Sequence, residues 1–291
     1  MKDLNGKNIT LGIQHTFVMF GATVLVPIIT GLDVGVTLLA AGIGTWLFHF
    51  ITKFKVPVFL GSSFAFIPGI IAVATAEGGS LAEAQGGIVI AGLVYILVAF
   101  LFKIISYDVI HKILPAHVTG PVIILIGLIL APVAIANANG TYAPQVVEKI
   151  GVGGAWFIAL FTFAVAIFVK TFFETRNKLI SMLPVLIALI CGYILSVIMG
   201  IVDFSSVANA KVFGAPNFTM AKFTGRGISM IVPIAIVTIV EHFGDVLAIG
   251  NVVGKDFIKD PGIHRTLMGD GIATSVSALI GGPANTTYSE N

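Results

Sequence analysis

The chain has 291 residues, 57% of them hydrophobic and 10% charged, where a soluble domain carries roughly 25% Asp, Glu, Lys and Arg. Sixteen basic against fourteen acidic residues leave a net charge of +2, and mean hydropathy is +1.03. This excludes an ordinary soluble domain, a disordered chain and, for want of a basic tract to hold phosphates, a nucleic-acid binder. One cysteine, Cys191, excludes an intrachain disulfide and any multi-cysteine metal site; neither a cofactor nor a metal is expected.

A helix needs about 20 mostly apolar residues to cross a bilayer. Charge-poor stretches in chain order predict crossings at about 9–30, 34–52, 56–75, 86–105, 118–136, 153–170, 179–199, 228–248 and 267–281, with a tenth beginning near Pro283. The first is too long for a signal peptide and no small-residue cleavage site follows it, so it is read as a mature span. With the N-terminus in the cytoplasm, twelve Lys and Arg fall inside and four (Lys149, Lys211, Lys222, Arg226) outside. That bias supports both the span count and the orientation, and with them an inner-membrane, multi-pass protein.

The third span opens Val56-Pro57-Val58-Phe59-Leu60-Gly61-Ser62-Ser63, which predicts an extended approach and a half-helix starting near Ser63. The tenth opens Gly281-Gly282-Pro283-Ala284-Asn285-Thr286-Thr287 with the same poorly helical, polar character. Non-helical backbone at membrane depth survives only inside protein or beside a cavity, and paired interrupted spans point to a transporter binding site. Gln14-His15 is echoed by Glu241-His242 after 227 residues, and Gly61-Ser62 by Gly281-Gly282 after 220. Seven spans separate each pair, an odd number, so the second copy enters from the opposite side as in an inverted repeat. On that reading the second copy stops after its third element, and a polypeptide ending at Asn291 is expected not to transport.

Ionisable residues inside spans are His15, His49, Glu241, His242, Asp245, Asp270 and Glu290. A charge at the bilayer centre costs about 2.5–3.5 kcal/mol even on lenient scales, so each is a functional candidate. Glu241 and Asp245, four apart, share a helix face. His242 points about 100° away and is expected to bond a neighbouring helix. His49 reads as interfacial, and Asp270 as the start of the ninth span, where it would cap the helix. Glu241 and Glu290 beside two half-helix starts imply a small, planar, uncharged ligand with N–H and C=O groups on one edge. A nucleobase or cyclic imide fits; an inorganic anion would be repelled. Burial favours the protonated form of a carboxylate, so a proton can travel with the ligand.

Gln14-His15, Met19 to Pro27, Gly61 to Phe66, Glu241-His242-Phe243-Gly244-Asp245 and Asn285 to Asn291 resemble the nucleobase–cation symporter-2 family (xanthine/uracil permeases), most closely its uracil-transporting branch. The resemblance runs along the whole chain. It implies an all-α polytopic membrane protein with an inverted 7+7 transmembrane repeat, short extended (β-like) segments in spans 3 and 10, and an incomplete second repeat here. It implies a core domain (1–112, spans 1–4, and 228–291, spans 8–10) and part of a gate domain (113–227, spans 5–7). Substrate binding falls to Glu241, Glu290, Phe64, Ser289 and Tyr288, and proton coupling to Glu241, Asp245 and His15. The implied function is uracil:proton symport by alternating access, with a possible homodimer. Asp245 and Ser289 depart from the usual histidine and glycine of the uracil branch; glutamate at 290 favours uracil over xanthine or urate. Competing readings are a purine permease, an anion transporter of the same fold, and an intramembrane aspartyl protease. The last is argued against by Leu267, which breaks the protease's glycine motif before Gly269-Asp270, and by Asp108, which lies in a basic stretch.

Overall fold

The computed structural model describes residues 6–104, 116–176, 178–181, 183–205 and 214–288. In chain order these form α1 (Gly6–Thr30), α2 (Val34–Ile51), β1 (Leu60–Ser62), a 3-10 turn (Phe64–Phe66), α3 (Ile67–Thr75), α4 (Leu81–Ile104), α5 (Ala116–Ala138), α6 (Pro144–Phe173), α7 (Lys178–Ser181), α8 (Pro184–Ile198), α9 (Gly225–Val253), a π turn (Ile258–Gly262), α10 (Ile263–Leu279) and β2 (Asn285–Thr287). Among the described residues, five helices are long and apolar enough to cross a membrane: α2, α4, α5 over 120–138, α6 and α9. Helix starts have local causes. The Asp33 carboxylate accepts from the Val36 amide at 2.8 Å and caps α2; that bond holds its pKa below the usual carboxylate value, as an N-cap requires. Thr224 caps α9 through the Gly227 amide.

The chain divides into two compact units, one of residues 1–21 and 130–215, the other of 22–129 and 216–291. In the first, α6 bends at Gly151, whose φ of 70° leaves the helical region, and Gly192 on α8 lies so close to Thr162 on α6 that a methyl group would overlap its side chain. In the second, α4 packs against both α9 and α10, and α2 against α10. One buried cluster joins Phe66, Ile70, Ile88, Tyr95, Ile231 and Leu267, and another joins Phe48, Leu60, Phe243, Val246, Phe257 and Ile263.

Glycines set the closest of these contacts. A Cβ on Gly92 of α4 would come within 2.6 Å of the Gly271 carbonyl oxygen, and one on Gly271 of α10 within 2.7 Å of the Gly92 carbonyl oxygen. Small residues that let backbones meet drive helix association in membranes. Gly92→Val is therefore expected to destabilise the second unit by about 1–3 kcal/mol or more, as overpacking does; an unchanged melting temperature of the detergent-purified protein would refute it.

Span limits differ from expectation in informative places. α4 begins at Leu81 rather than near 86. Its first turns carry Glu83 and Gln85, polar residues that nevertheless are buried. Glu83 accepts from Arg226 at 2.9 and 3.1 Å and from Thr224 at 3.0 Å, and Gln85 donates to the Gly281 carbonyl at 2.7 Å. α6 starts at Pro144, before its kink, not near 153. Asp270 does not cap a helix: it is the eighth residue of α10, fully buried in its interior. Polar α10, with Thr266, Thr274, Ser275 and Ser277 also buried, is tolerated because protein surrounds it.

Candidate functional site

In the second unit, β1 and β2 pair antiparallel, with Leu60 opposite Thr287, Gly61 opposite Thr286 and Ser62 opposite Asn285. Each strand is only three residues long, and all six are buried. Side chains and backbone tie the pair into its surroundings: Leu60 N–H donates to Thr45 Oγ1 at 3.0 Å, Ser63 N–H to the Ala284 carbonyl at 2.9 Å, Ser62 Oγ to the Thr23 carbonyl at 2.9 Å, and Asn285 Nδ2 to the Ala40 carbonyl at 2.9 Å. This accounting is what allows extended backbone inside a helical membrane unit. The half-helix follows at once, first as the 3-10 turn at Phe64, then as α3 from Ile67. The expected break at Gly61-Ser62-Ser63 is thus where the strand ends.

Phe64 and Tyr288 meet across the strand pair, with ring centroids 6.2 Å apart, and the Tyr288 hydroxyl donates to the Ser62 carbonyl at 2.5 Å. Gly61 lies under the Tyr288 ring; a Cβ there would overlap the ring and come within 2.9 Å of Thr23 Oγ1. The α9 helix packs against β2 and the 3-10 turn. Glu241, half-buried, stands near its middle, one turn before buried Asp245. Glu290 and Ser289 lie outside the described residues. His15 is half-buried and belongs to the first unit.

Beneath β2 runs a buried polar cluster that the sequence reading did not assemble. His242 Nδ1 lies 2.8 Å from Asp270 Oδ2 and 3.0 Å from Thr287 Oγ1, and Nε2 lies 2.9 Å from Thr266 Oγ1. The Thr287 amide donates to the same Asp270 oxygen at 3.2 Å, and the Thr287 hydroxyl to Asp245 Oδ2 at 3.4 Å. With Asp270 ionised its carboxylate can only accept, and Nδ1 is then the nitrogen that carries the hydrogen. His242 does bond a neighbouring helix, as its direction on α9 implied. Its partner Asp270, 28 residues on, was legible only as an ionisable residue in an apolar run.

The site is thus two short paired strands and the helix start that follows the first of them, enclosed by long apolar helices, which defines a polytopic transporter-type transmembrane domain. The same fold is found in the transmembrane domain of a cyanobacterium bicarbonate transporter, BicA, at a TM-score of 0.60 and 16% identity, over 96% of this chain and 73% of that one. The chain matches the xanthine/uracil permease family, described as "Permease family", over residues 6–291, and it belongs to that family. Relatives include the uracil permease of Bacillus caldolyticus (44% identical over 98% of this chain), that of Bacillus subtilis strain 168 (42% over 97%) and that of Escherichia coli strain K12 (36% over 98%). The chain spans just under two thirds of their length, 65%, 65% and 64%. Family and apolar helices together make it a multi-pass membrane protein.

Proposed function

We propose that this protein is a uracil:proton symporter of the cell membrane, not an enzyme, working by alternating access with its N-terminus in the cytoplasm. The observation that carries the reading is the β1–β2 pair, which joins two interrupted segments far apart in sequence beside the Phe64 and Tyr288 rings and the Glu241 face of α9. A pyrimidine has the matching chemistry. Its ring stacks on aromatic side chains, its N–H groups donate to Glu241 and Glu290, and its carbonyls accept from the backbone amide of Phe64, at the half-helix start, and from that of Ser289. Proton coupling is assigned to Glu241, Asp245 and His15, and a proton taken up with uracil at Glu241 cancels a charge that would otherwise be carried through the bilayer interior. The names of the uracil permease relatives support this substrate. We assign residues 1–112 and 228–291 to the core of an inverted repeat and 113–227 to its gate, with a homodimer as the working assembly.

The test is radiolabelled uracil uptake in cells lacking their own permease, using the full reading frame. Uptake is expected to fall about 100-fold or more with Glu241→Gln, the loss of a charge-assisted bond to the ligand, and to collapse with an uncoupler. Uptake of xanthine or of an anion in place of uracil by a well-inserted protein would overturn the substrate; uptake indifferent to the uncoupler would overturn the proton.

A further inference from the structure

The pair of His242 and Asp270 is buried, with side-chain exposures of 1% and 0%, and the hydroxyls around it are placed to serve two protonation states. Nδ1–H faces Asp270 in both. On the other side of the ring, Thr266 Oγ1 lies 2.9 Å from Nε2 and 3.0 Å from the Ile263 carbonyl oxygen. A hydroxyl has one proton to give and two lone pairs. Beside a neutral ring, Thr266 donates to Nε2. Beside an imidazolium, Nε2–H donates to Thr266 Oγ1, whose own proton turns to the Ile263 carbonyl. The added proton resides on Nε2, no heavy atom moves, and the ring keeps its partners in both states.

The surroundings are acidic. The titratable groups around the ring are Asp270 on α10, Glu241 and Asp245 on its own helix, and Tyr95 on α4, which interacts electrostatically with all three carboxylates. From β2 comes Thr287, with Tyr288 next to it. On α2, the His49 ring is stacked instead on Phe54, centroids 5.7 Å apart.

We propose that His242, paired with Asp270 and served by the Thr266 hydroxyl, is a proton-carrying site of the transport cycle that acts on strand β2 through Thr287. Asp270 Oδ2 holds both the His242 ring and the Thr287 amide. A positive charge on the ring adds Coulomb attraction to the oxygen it shares with the Thr287 amide, so loading and unloading the ring changes how firmly β2 is held. Neither side chain need touch substrate; His242 is a positioning residue. The proposal rests on the proton-coupled reading above.

The experiment compares the wild-type full reading frame with His242→Asn and Thr266→Val in proteoliposomes. One readout is uracil exchange at uniform pH, the other accumulation driven by a pH gradient. Asparagine keeps a donor toward Asp270 and cannot take the proton. His242→Asn is expected to lose about tenfold or more of accumulation while losing less than about threefold of exchange. Thr266→Val deletes the acceptor the charged ring needs, so the midpoint of the accumulation profile is expected to move about one pH unit toward acid. Wild-type accumulation and pH profile in both variants would overturn the proposal. If His242→Asn fails to insert, the Thr266→Val profile decides alone. Failure of the wild type to accumulate uracil under the gradient would overturn the symport reading instead.

Discussion

Asp270→Ala is expected to abolish uracil uptake and to lower the melting temperature of the purified protein. One carboxylate oxygen accepts from His242 at 2.8 Å and from the Thr287 amide at 3.2 Å. Both donors are buried, so each loses its acceptor where an unmet donor is costly. Leaving a buried donor unsatisfied costs about 1–3 kcal/mol, and two such donors take a large part of the roughly 5–15 kcal/mol that holds a domain together. The functional loss exceeds the stability loss, because the orphaned amide belongs to β2 and sits directly across from Leu60 of β1. Asp270→Asn separates the two contributions. Its amide oxygen can still accept while its charge is gone, so folding is expected near wild type and uptake about tenfold lower, the loss of one charge-assisted increment. Uptake and melting of Asp270→Ala equal to wild type would refute the assignment.

The two interrupted segments were legible because a proline, a Gly-Ser-Ser run and a Gly-Gly-Pro run cannot continue a helix, and that local chemistry places β1 and β2 to within a few residues. Glu241 and Asp245 were legible from their spacing. The pairing of the strands was not, since the register that sets Gly61 opposite Thr286 is decided by closure of the whole unit rather than by either segment. Asp270 was misplaced at a helix end for the reason that α4 was begun too late. Hydropathy treats a polar residue as a sign of water, whereas Glu83, Gln85 and Asp270 are buried by partners far along the chain: Arg226, Gly281 and His242. Thr287 was legible as part of a polar segment and Thr266 not at all, because a hydroxyl's partner is set by the tertiary fold and not by its neighbours in sequence.

Gly61→Val is expected to lower uracil uptake about 100-fold while leaving the protein inserted. Gly61 is the middle residue of β1 and its φ lies outside the left-handed region, so the substitution costs little in backbone conformation. The cost is steric. The space a Cβ would take is occupied by the Tyr288 ring and by Thr23 Oγ1, and valine adds two further methyl groups. Thr23 is held on α1 and buried, which leaves the ring as the element that gives way. Displacing it breaks the bond from the Tyr288 hydroxyl to the Ser62 carbonyl and separates the ring from Phe64. Both faces proposed to receive the pyrimidine are lost in one step, and two such contacts at about 1–1.5 kcal/mol each amount to roughly two decades of affinity. Gly61→Ala, with a single methyl, is expected to fall between, near tenfold. The measurement is uracil affinity and uptake for the two variants beside Tyr288→Phe, which removes the hydroxyl bond and keeps the ring. A graded loss in the order Val, Ala, Phe supports the ring as the lining of the site. Equal and full activity in all three would show that uracil binds elsewhere, and the strand pair would then serve the fold alone.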